Sequence, residues 1–351
     1  MKVAGPVRFH CQERRYFPWG AAAVAVTGVV ASAVLLTACG SAGSQPSARQ
    51  TATPSATAMV PSGPATDRFP AAAEGPWIDQ PVTFAAGGMT VYGTFRHPAG
   101  PVSAGTGPLI PAVLLIQGND FTDRNGDTPQ FPGSINEIRA IADWLSADGV
   151  ATLRFDRLGS GQTGFGPYVS QRGVIQLNPV PFKPVEQEAA AALKFLARQH
   201  GIDRARLGVI AHSQGAEYAL LLALGTDPEG SGPGPLPHIR ALGLFEPYRN
   251  RFVGGWEGGP YDPARLAAKL SPGTPVLVTC SNSDLQVSCS DISPVRAGLA
   301  GAQAATDFVL LIGVDHVLKQ DPTGSSANYT RPLPFSRQLR QALRSFVQLN
   351  L

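Results

Sequence analysis

Ser213 stands in the pentapeptide Ala211-His212-Ser213-Gln214-Gly215, between an apolar run, Leu207-Gly208-Val209-Ile210, and a helical run, Ala216 to Leu224. A serine hydroxyl is a weak nucleophile at neutral pH. It needs a base to take its proton, and the base needs a group that fixes its tautomer and offsets its developing charge. An abrupt strand-to-helix turn would put the serine at its tip, and it demands small residues two positions to either side, which Ala211 and Gly215 are. The alternative is a serine that merely caps the helix.

The pentapeptide resembles the nucleophile elbow, Gly-x-Ser-x-Gly, of the α/β hydrolases, with the single methyl of Ala211 in place of the first glycine. In that fold the triad runs Ser, acid, His along the chain. Of the six histidines, His316 follows the last expected strand, in Ile312-Gly313-Val314-Asp315-His316, on a loop from which a base would reach Ser213. His238 precedes a strand and His212 lies inside the elbow, so both read as structural histidines. The acid is sought after the strand Val276-Leu277-Val278-Thr279, and Asp284 is the choice. Asp291 is its local rival, at the start of a helix where an aspartate more often caps. Acyl transfer also needs N–H donors aimed at the oxyanion, each worth about 3–4 kcal/mol when well placed. The expected donors are the backbone N–H groups of Gln214, just after the nucleophile, and Asn119, in the turn after Val113 to Ile116.

That turn carries a closer resemblance. Gly118-Asn119-Asp120-Phe121-Thr122-Asp123-Arg124-Asn125-Gly126 looks like the Gly-Ser-Gly-Pro-x-Asp-Arg-Asp-Gly segment of a bacterial esterase family. Leu153-Arg154-Phe155-Asp156-Arg157 resembles its Leu-Arg-Tyr-Asp-Lys strand end. Asp284-Leu285-Gln286-Val287 and Asp315-His316-Val317-Leu318-Lys319 resemble its acid and histidine loops. Together these motifs span Val82 to Leu351. The resemblance implies hydrolysis of short acyl esters, with a small-molecule acyl ester as the partner. The sequence departs from the family at Gln117, where many relatives carry histidine, and at Asn119-Asp120-Phe121, which lacks the glycine and proline. From Glu246 to Leu270, where a cap often sits, the chain is short and rich in Gly and Pro, which implies an open site.

Other chemistry is less well supported. Gly159-Ser160-Gly161-Gln162-Thr163-Gly164 matches the dinucleotide pattern G-x-G-x-x-G, but Pro167, Pro179, Pro181 and Pro184 precede any expected helix, and the phosphate site depends on a helix N-terminus. Asp123, Asn125 and Asp127 mimic the start of a calcium loop, yet Ser134 stands where the bidentate glutamate is required. No H-E-x-x-H spacing occurs. The expectation is therefore no cofactor and no metal. An acyltransferase using the same triad and a non-catalytic binding protein on the same fold remain the alternatives.

Elements of suitable type and order surround these residues. Two strands, Val82-Thr83-Phe84 and Thr90 to Phe95, are joined through Gly87-Gly88, a hairpin signal. The nearly continuous apolar run Ala112 to Ile116 reads as a central strand covered on both faces. Ile135, Ile138, Ile141 and Leu145 then recur at helical spacing up to Asp148-Gly149. The alternation continues with strand 151–155, helix 185–200, strand 207–211, a helix from Gln214, strands 241–245, 275–280 and 308–312, and a last helix 336–349. Such alternation implies βαβ units and a mostly parallel sheet, an α/β-hydrolase layout with an antiparallel N-terminal hairpin and a minimal cap.

The chain has 351 residues, 43% hydrophobic and 15% charged, with a net charge of +3. Its Lys and Arg are scattered rather than striped, so nucleic acid is not an expected partner. The N-terminal segment reads as an export signal: Lys2, Arg8, Arg14 and Arg15 precede an apolar run from Ala21 to Leu36. Leu36-Thr37-Ala38-Cys39 resembles the lipobox of bacterial lipoproteins, which implies cleavage before Cys39, lipid attachment there, and a place on the outer face of the cell membrane. The alternatives are an uncleaved membrane helix or full secretion. Arg14-Arg15 leaves both Sec and Tat export open. The expected organisation is a signal peptide over 1–38, a Ser/Thr/Ala/Pro-rich tether over 39–76 with a reach of roughly 30–35 Å, and a catalytic domain over 77–351. Cys280 and Cys289 are then left in an oxidising compartment that permits a disulfide; two free thiols are the alternative.

Overall fold

In the two-residue turn Gly87-Gly88 both φ values are positive, 54° and 79°, as the tight hairpin turn that matches strand twist requires. It joins β1 (Trp77–Ala86) to β2 (Met89–Pro98) in antiparallel register, with Ala86 opposite Met89. The computed structural model describes residues 76–100, 107–118, 121–168, 182–225, 235–247 and 261–351. The export segment, Cys39, the tether, Asn119 and most of the expected cap stretch lie outside the described residues.

After the hairpin come β3 (Ile110–Ile116), α1 (Glu137–Ala147), β4 (Ala151–Phe155), α2 (Phe182–Leu196), β5 (Ile202–His212) and α3 (Gly215–Leu224). The remaining elements are β6 (Ala241–Phe245), α4 (Pro263–Ala267), β7 (Pro275–Ser281), α5 (Cys289–Gly301), β8 (Ala305–Leu311) and α6 (Arg337–Asn350). The eight strands form one sheet in the order β1-β2-β4-β3-β5-β6-β7-β8. β2 meets β4 antiparallel, and every pairing from β4 across to β8 is parallel. Pro81 lies on edge strand β1, where its missing N–H costs no ladder bond on the open side.

Strand β3 is buried along its whole length because alternate residues face two separate cores. Leu114 and Ile116 pack with Val185, Ala189, Leu193 and Leu196 of α2 and with residues of α3, α4 and α5. Val113 and Leu115 pack on the other face with Ile138, Ile141 and Leu145 of α1 and Leu339, Leu343 and Phe346 of α6. These helical positions recur three or four residues apart, which is what one buried stripe demands. The sheet runs outward in opposite directions from β3, to β4 on one side and β5 on the other. A crevice therefore opens beyond the C-terminal ends of β3 and β5.

Several boundaries differ from the sequence reading. β5 begins at Ile202 rather than Leu207, through the half-exposed segment Asp203-Arg204-Ala205-Arg206, which carries no apolar pattern. α2 begins before Pro184, which sits in the first turn, where a missing N–H breaks no intrahelical bond. Ile135 lies outside α1, since Asn136 adopts φ 62° and starts the helix one residue later. The short α4 had no apolar periodicity to reveal it; Asp262 caps it through Ala264 N at 2.9 Å.

Candidate active site

Strand β5 delivers Ser213 into a sharp turn at φ 53°, and α3 begins two residues later. Such a conformation costs a non-glycine residue about 1–3 kcal/mol. It is held by the Ser213 N–H donating to Phe245 O at 2.8 Å and the Ala216 N–H donating to Ser213 O at 3.1 Å. A Cβ on Gly215 would stand 2.7 Å from the carbonyl oxygens of both Ile116 and Gln117, so only glycine fits there. Ala211 is completely buried two residues on the other side, and its methyl is accommodated.

His316 lies on the loop after β8, as expected, within a turn pinned by its neighbours. The N–H groups of Lys319 and Leu318 donate to Asp315 Oδ1 and O at 2.8 and 3.0 Å. Lys319 Nζ in turn donates to the carbonyls of Tyr329 and Arg331. The His316 ring meets Ser213 Oγ through Nε2 at 3.2 Å and Asp284 Oδ2 through Nδ1 at 2.7 Å. Beside an ionised Asp284 the ring carries its proton on Nδ1, which leaves Nε2 as the acceptor for the Ser213 hydroxyl. All three side chains are nearly buried.

Asp284 follows β7 on a loop closed by the disulfide Cys280–Cys289. Its Oδ1 accepts the N–H groups of Gln286 and Val287 at 2.7 and 3.0 Å. Burial alone would raise its pKa, but the His316 hydrogen bond and these two donors prevail and hold it below the ordinary carboxylate range. The rival Asp291 is the third residue of α5, in a reciprocal capping box with Ser288, and takes no part in the site.

The turn after β3 passes against Ser213. A Cβ on Gly118 would lie 2.9 Å from Ser213 Cβ and 3.3 Å from His212 Nδ1. Arg157, completely buried, donates from Nη1 to the carbonyl of Gly118 and so fixes that turn from the end of β4. Gln117, at the family's histidine position, donates from Nε2 to Thr122 O at 3.1 Å and Phe155 O at 2.5 Å. Further along, Arg124 meets Asp156 through Nε at 2.9 Å and Nη2 at 2.5 Å, and reaches Gly93 O on β2 at 3.0 Å. Gln214, the expected oxyanion donor, begins the first turn of α3 at φ −60°, ψ −25°, where N–H groups lack intrahelical partners. Its expected companion, Asn119, lies outside the described residues.

Three residues near Ser213 had escaped attention or been set aside. Arg157 appeared in the sequence only as a strand-end motif. His212 was read as structural, yet its Nε2 donates to His316 O at 2.8 Å and burial pushes its pKa down to about 3. Glu246, at the end of β6 with φ 47°, accepts from Ser281 N at 3.0 Å and Thr279 Oγ1 at 3.3 Å. Burial, followed by the negative charge of Asp284, raises it to about 8. Its signal in the sequence was a lone acid directly after an apolar strand.

The other motifs have structural uses. The glycine-rich segment 159–164 forms turns and leads to a three-residue 3-10 helix, not to an α-helix. The carboxylates of Asp123 and Asp127 accept backbone N–H groups of their own loop, those of Asn125, Asp127, Ile135 and Asn136. Among the described residues no three His, Cys, Asp or Glu side chains gather to hold a metal, and no helix is long and apolar enough to cross a membrane.

No family model matches the sequence, and no curated protein matches it. Solved structures do resemble it. A provisionally assigned dienelactone hydrolase from Klebsiella pneumoniae subsp. pneumoniae is 16% identical, with a TM-score of 0.51, and the match covers 78% of this chain and 97% of that one. A dienelactone hydrolase-like promiscuous phosphotriesterase from metagenomic libraries is 18% identical over 78% of this chain and 98% of its own, with a TM-score of 0.51. Carboxyl esterase 2 from Tuber melanosporum is 13% identical over 78% and 88%, with a TM-score of 0.52. Identities this low carry architecture alone. With its mostly parallel eight-stranded sheet, antiparallel N-terminal pair and helices on both faces, the chain has the α/β-hydrolase fold.

Proposed function

We propose that this protein is a serine hydrolase that cleaves small carboxylic esters. The observation that carries the reading is the relay from Ser213 Oγ to His316 Nε2 at 3.2 Å and from His316 Nδ1 to Asp284 at 2.7 Å, built on a positive-φ turn that holds the serine forward. Ser213 Oγ attacks the ester carbonyl while His316 Nε2 takes its proton. The tetrahedral oxyanion rests on the N–H groups of Gln214 and Asn119. Collapse expels the alcohol, protonated by His316, and leaves an acyl-enzyme. Water, deprotonated by His316, then releases the acid and restores Ser213. Asp284 keeps the ring in one tautomer and offsets the imidazolium charge.

The test is fluorophosphonate labelling and p-nitrophenyl acetate hydrolysis by the wild type beside Ser213→Ala and His316→Ala. Labelling and turnover confined to the wild type are expected. A folded wild type that neither labels nor turns over esters sinks the reading and favours a binding role.

The same proposal places the protein outside the cell membrane, attached through lipid on Cys39 and carried on the tether to residue 76. Incorporation of a labelled fatty acid that disappears in Cys39→Ala is the expected result. Incorporation that persists would favour another form of attachment.

A further inference from the structure

Beside His316 a cavity of about 70 Å³ runs from the oxyanion turn at Gly118 toward the loop before α1. On the scale of one water per ~10–15 Å³ of such space, it holds a group of a few heavy atoms. One side is apolar, where Ile135, Val317 and Tyr329 form a small cluster with Phe131. Its polar lining includes His212 and Glu137, both nearly buried, beside Thr122, Thr128, Gln130 and Gln286.

These two side chains are incompletely satisfied in a complementary way. The Nε2–H of His212 is spent on the carbonyl of His316, so the neutral ring presents a bare lone pair at Nδ1. Glu137 Oε1 lies 3.8 Å from that nitrogen, too far for a hydrogen bond, and Glu137 Oε2 has no partner. Burial, reinforced by the charges of Asp127 and Asp123, holds Glu137 well above the ordinary carboxylate range, so it stands as a neutral acid able to donate. A Cβ on Gly126 would stand 2.2 Å from Glu137 Oε2, and that glycine at φ 97° leaves the carboxyl its room. One acceptor and one donor, each incomplete, face a space bounded by the ring that handles the substrate's protons. A hydroxyl fits both: it donates to Nδ1 and accepts from the carboxyl. A carboxylate would meet the lone pair of His212 and the negative charges of Asp127 and Asp123.

We propose that this cavity is a subsite for a hydroxyl group carried by the ester substrate on a short chain, held between the carboxyl of Glu137 and Nδ1 of His212. The inference rests on the ester-hydrolase reading and adds the class of substrate to it. The hydroxyl belongs either to the acyl part or to the alcohol part, and paired substrates separate the two.

The experiment compares kcat/KM for p-nitrophenyl 3-hydroxypropanoate against its isostere p-nitrophenyl butanoate, and for 2-hydroxyethyl acetate against propyl acetate. It uses the wild type, Glu137→Gln and Glu137→Leu, and the ratio within each protein cancels any general loss of rate. The expected result is a preference of about tenfold or more for the hydroxylated ester in one pair, kept by Glu137→Gln and lost in Glu137→Leu. If Glu137→Leu does not fold, Glu137→Ala gives the same readout. Equal constants within both pairs for the wild type would mean a cavity for water only and would overturn the subsite, as would a preference that survives in Glu137→Leu or Glu137→Ala. Failure of the wild type to cleave p-nitrophenyl acetate would instead overturn the ester reading, and the subsite with it.

Discussion

His212 donates from Nε2 to the main-chain carbonyl of His316 at 2.8 Å, so the residue before Ser213 holds the backbone at His316. Their rings lie 4.8 Å apart between centroids. This bond spans 104 residues of chain and couples the elbow to the loop after β8 without using a triad side chain. Replacement of His212 by Phe should lower kcat about 10–100-fold, since a displacement near 1 Å is enough for such a loss. Stopped assays of ester hydrolysis beside circular dichroism would check it. A full-rate variant would mean that the His316 loop holds its place unaided.

Gly118 has no space for a side chain, because a Cβ would sit 2.9 Å from Ser213 Cβ. Gly118→Ala is therefore expected to shift either the serine or the oxyanion turn and to cost roughly 100-fold or more in kcat, comparable to losing one oxyanion donor. Fluorophosphonate labelling should slow in parallel while the melting temperature changes little.

The Cys280–Cys289 bridge closes the loop that presents Asp284. Removing it through Cys289→Ser should destabilise the fold by about 2–3 kcal/mol on the chain-entropy account, read from urea unfolding. Activity should fall further than this loss explains, because Gln286 N and Val287 N, which hold Asp284 Oδ1, lie inside the loop. Wild type treated with reductant should match the variant.

Glu246 gives the stability a slope with pH. Its folded pKa, about 8, exceeds the ordinary glutamate value. The folded state thus binds the extra proton between these values, and the contribution, complete at low pH, is lost as pH rises toward 8. Glu188, also raised to about 8 by burial, acts in the same direction. His212 acts oppositely, but only between about 3 and its ordinary value of 6.5. Above pH 6.5 the buried glutamates prevail, and Glu137, held well above the ordinary range by burial, acts with them. Stability should decline from pH 6.5 to 8, each group adding at most about 1.4 kcal/mol per pH unit. Glu246→Gln should flatten part of that decline in urea titrations, and an unchanged slope would count against a neutral Glu246.

The fold was legible wherever burial imposes a period. β4 and β6 fall where their apolar runs predicted them, and Gly87-Gly88 supplies the two positive-φ residues of the turn that joins β1 to β2. The elbow was legible for a steric reason, since Gly215 must clear two carbonyl oxygens. Asp284 and His316 were found because each follows a parallel strand at its C-terminal end, and the structure brings both to Ser213. The half-exposed start of β5 and the five-residue α4 carry no period and were missed. Arg157, Glu246 and the donor role of His212 were hidden for another reason. Their partners include main-chain groups 35 to 104 residues distant, and a backbone group leaves no mark in a sequence.

The cavity beside His316 has one property that bears on how such a protein changes over generations. Much of its wall, including Thr122, Thr128, Gln130, Phe131 and Ile135, comes from the loop between β3 and α1, while His212, Gln286 and His316 complete it from the elements that hold Ser213 and Asp284. Substitutions at Thr122, Thr128 or Phe131 can reshape what enters without disturbing the bond-breaking groups. A library confined to those three positions would vary what the cavity admits while Ser213, His316 and Asp284 stay unchanged.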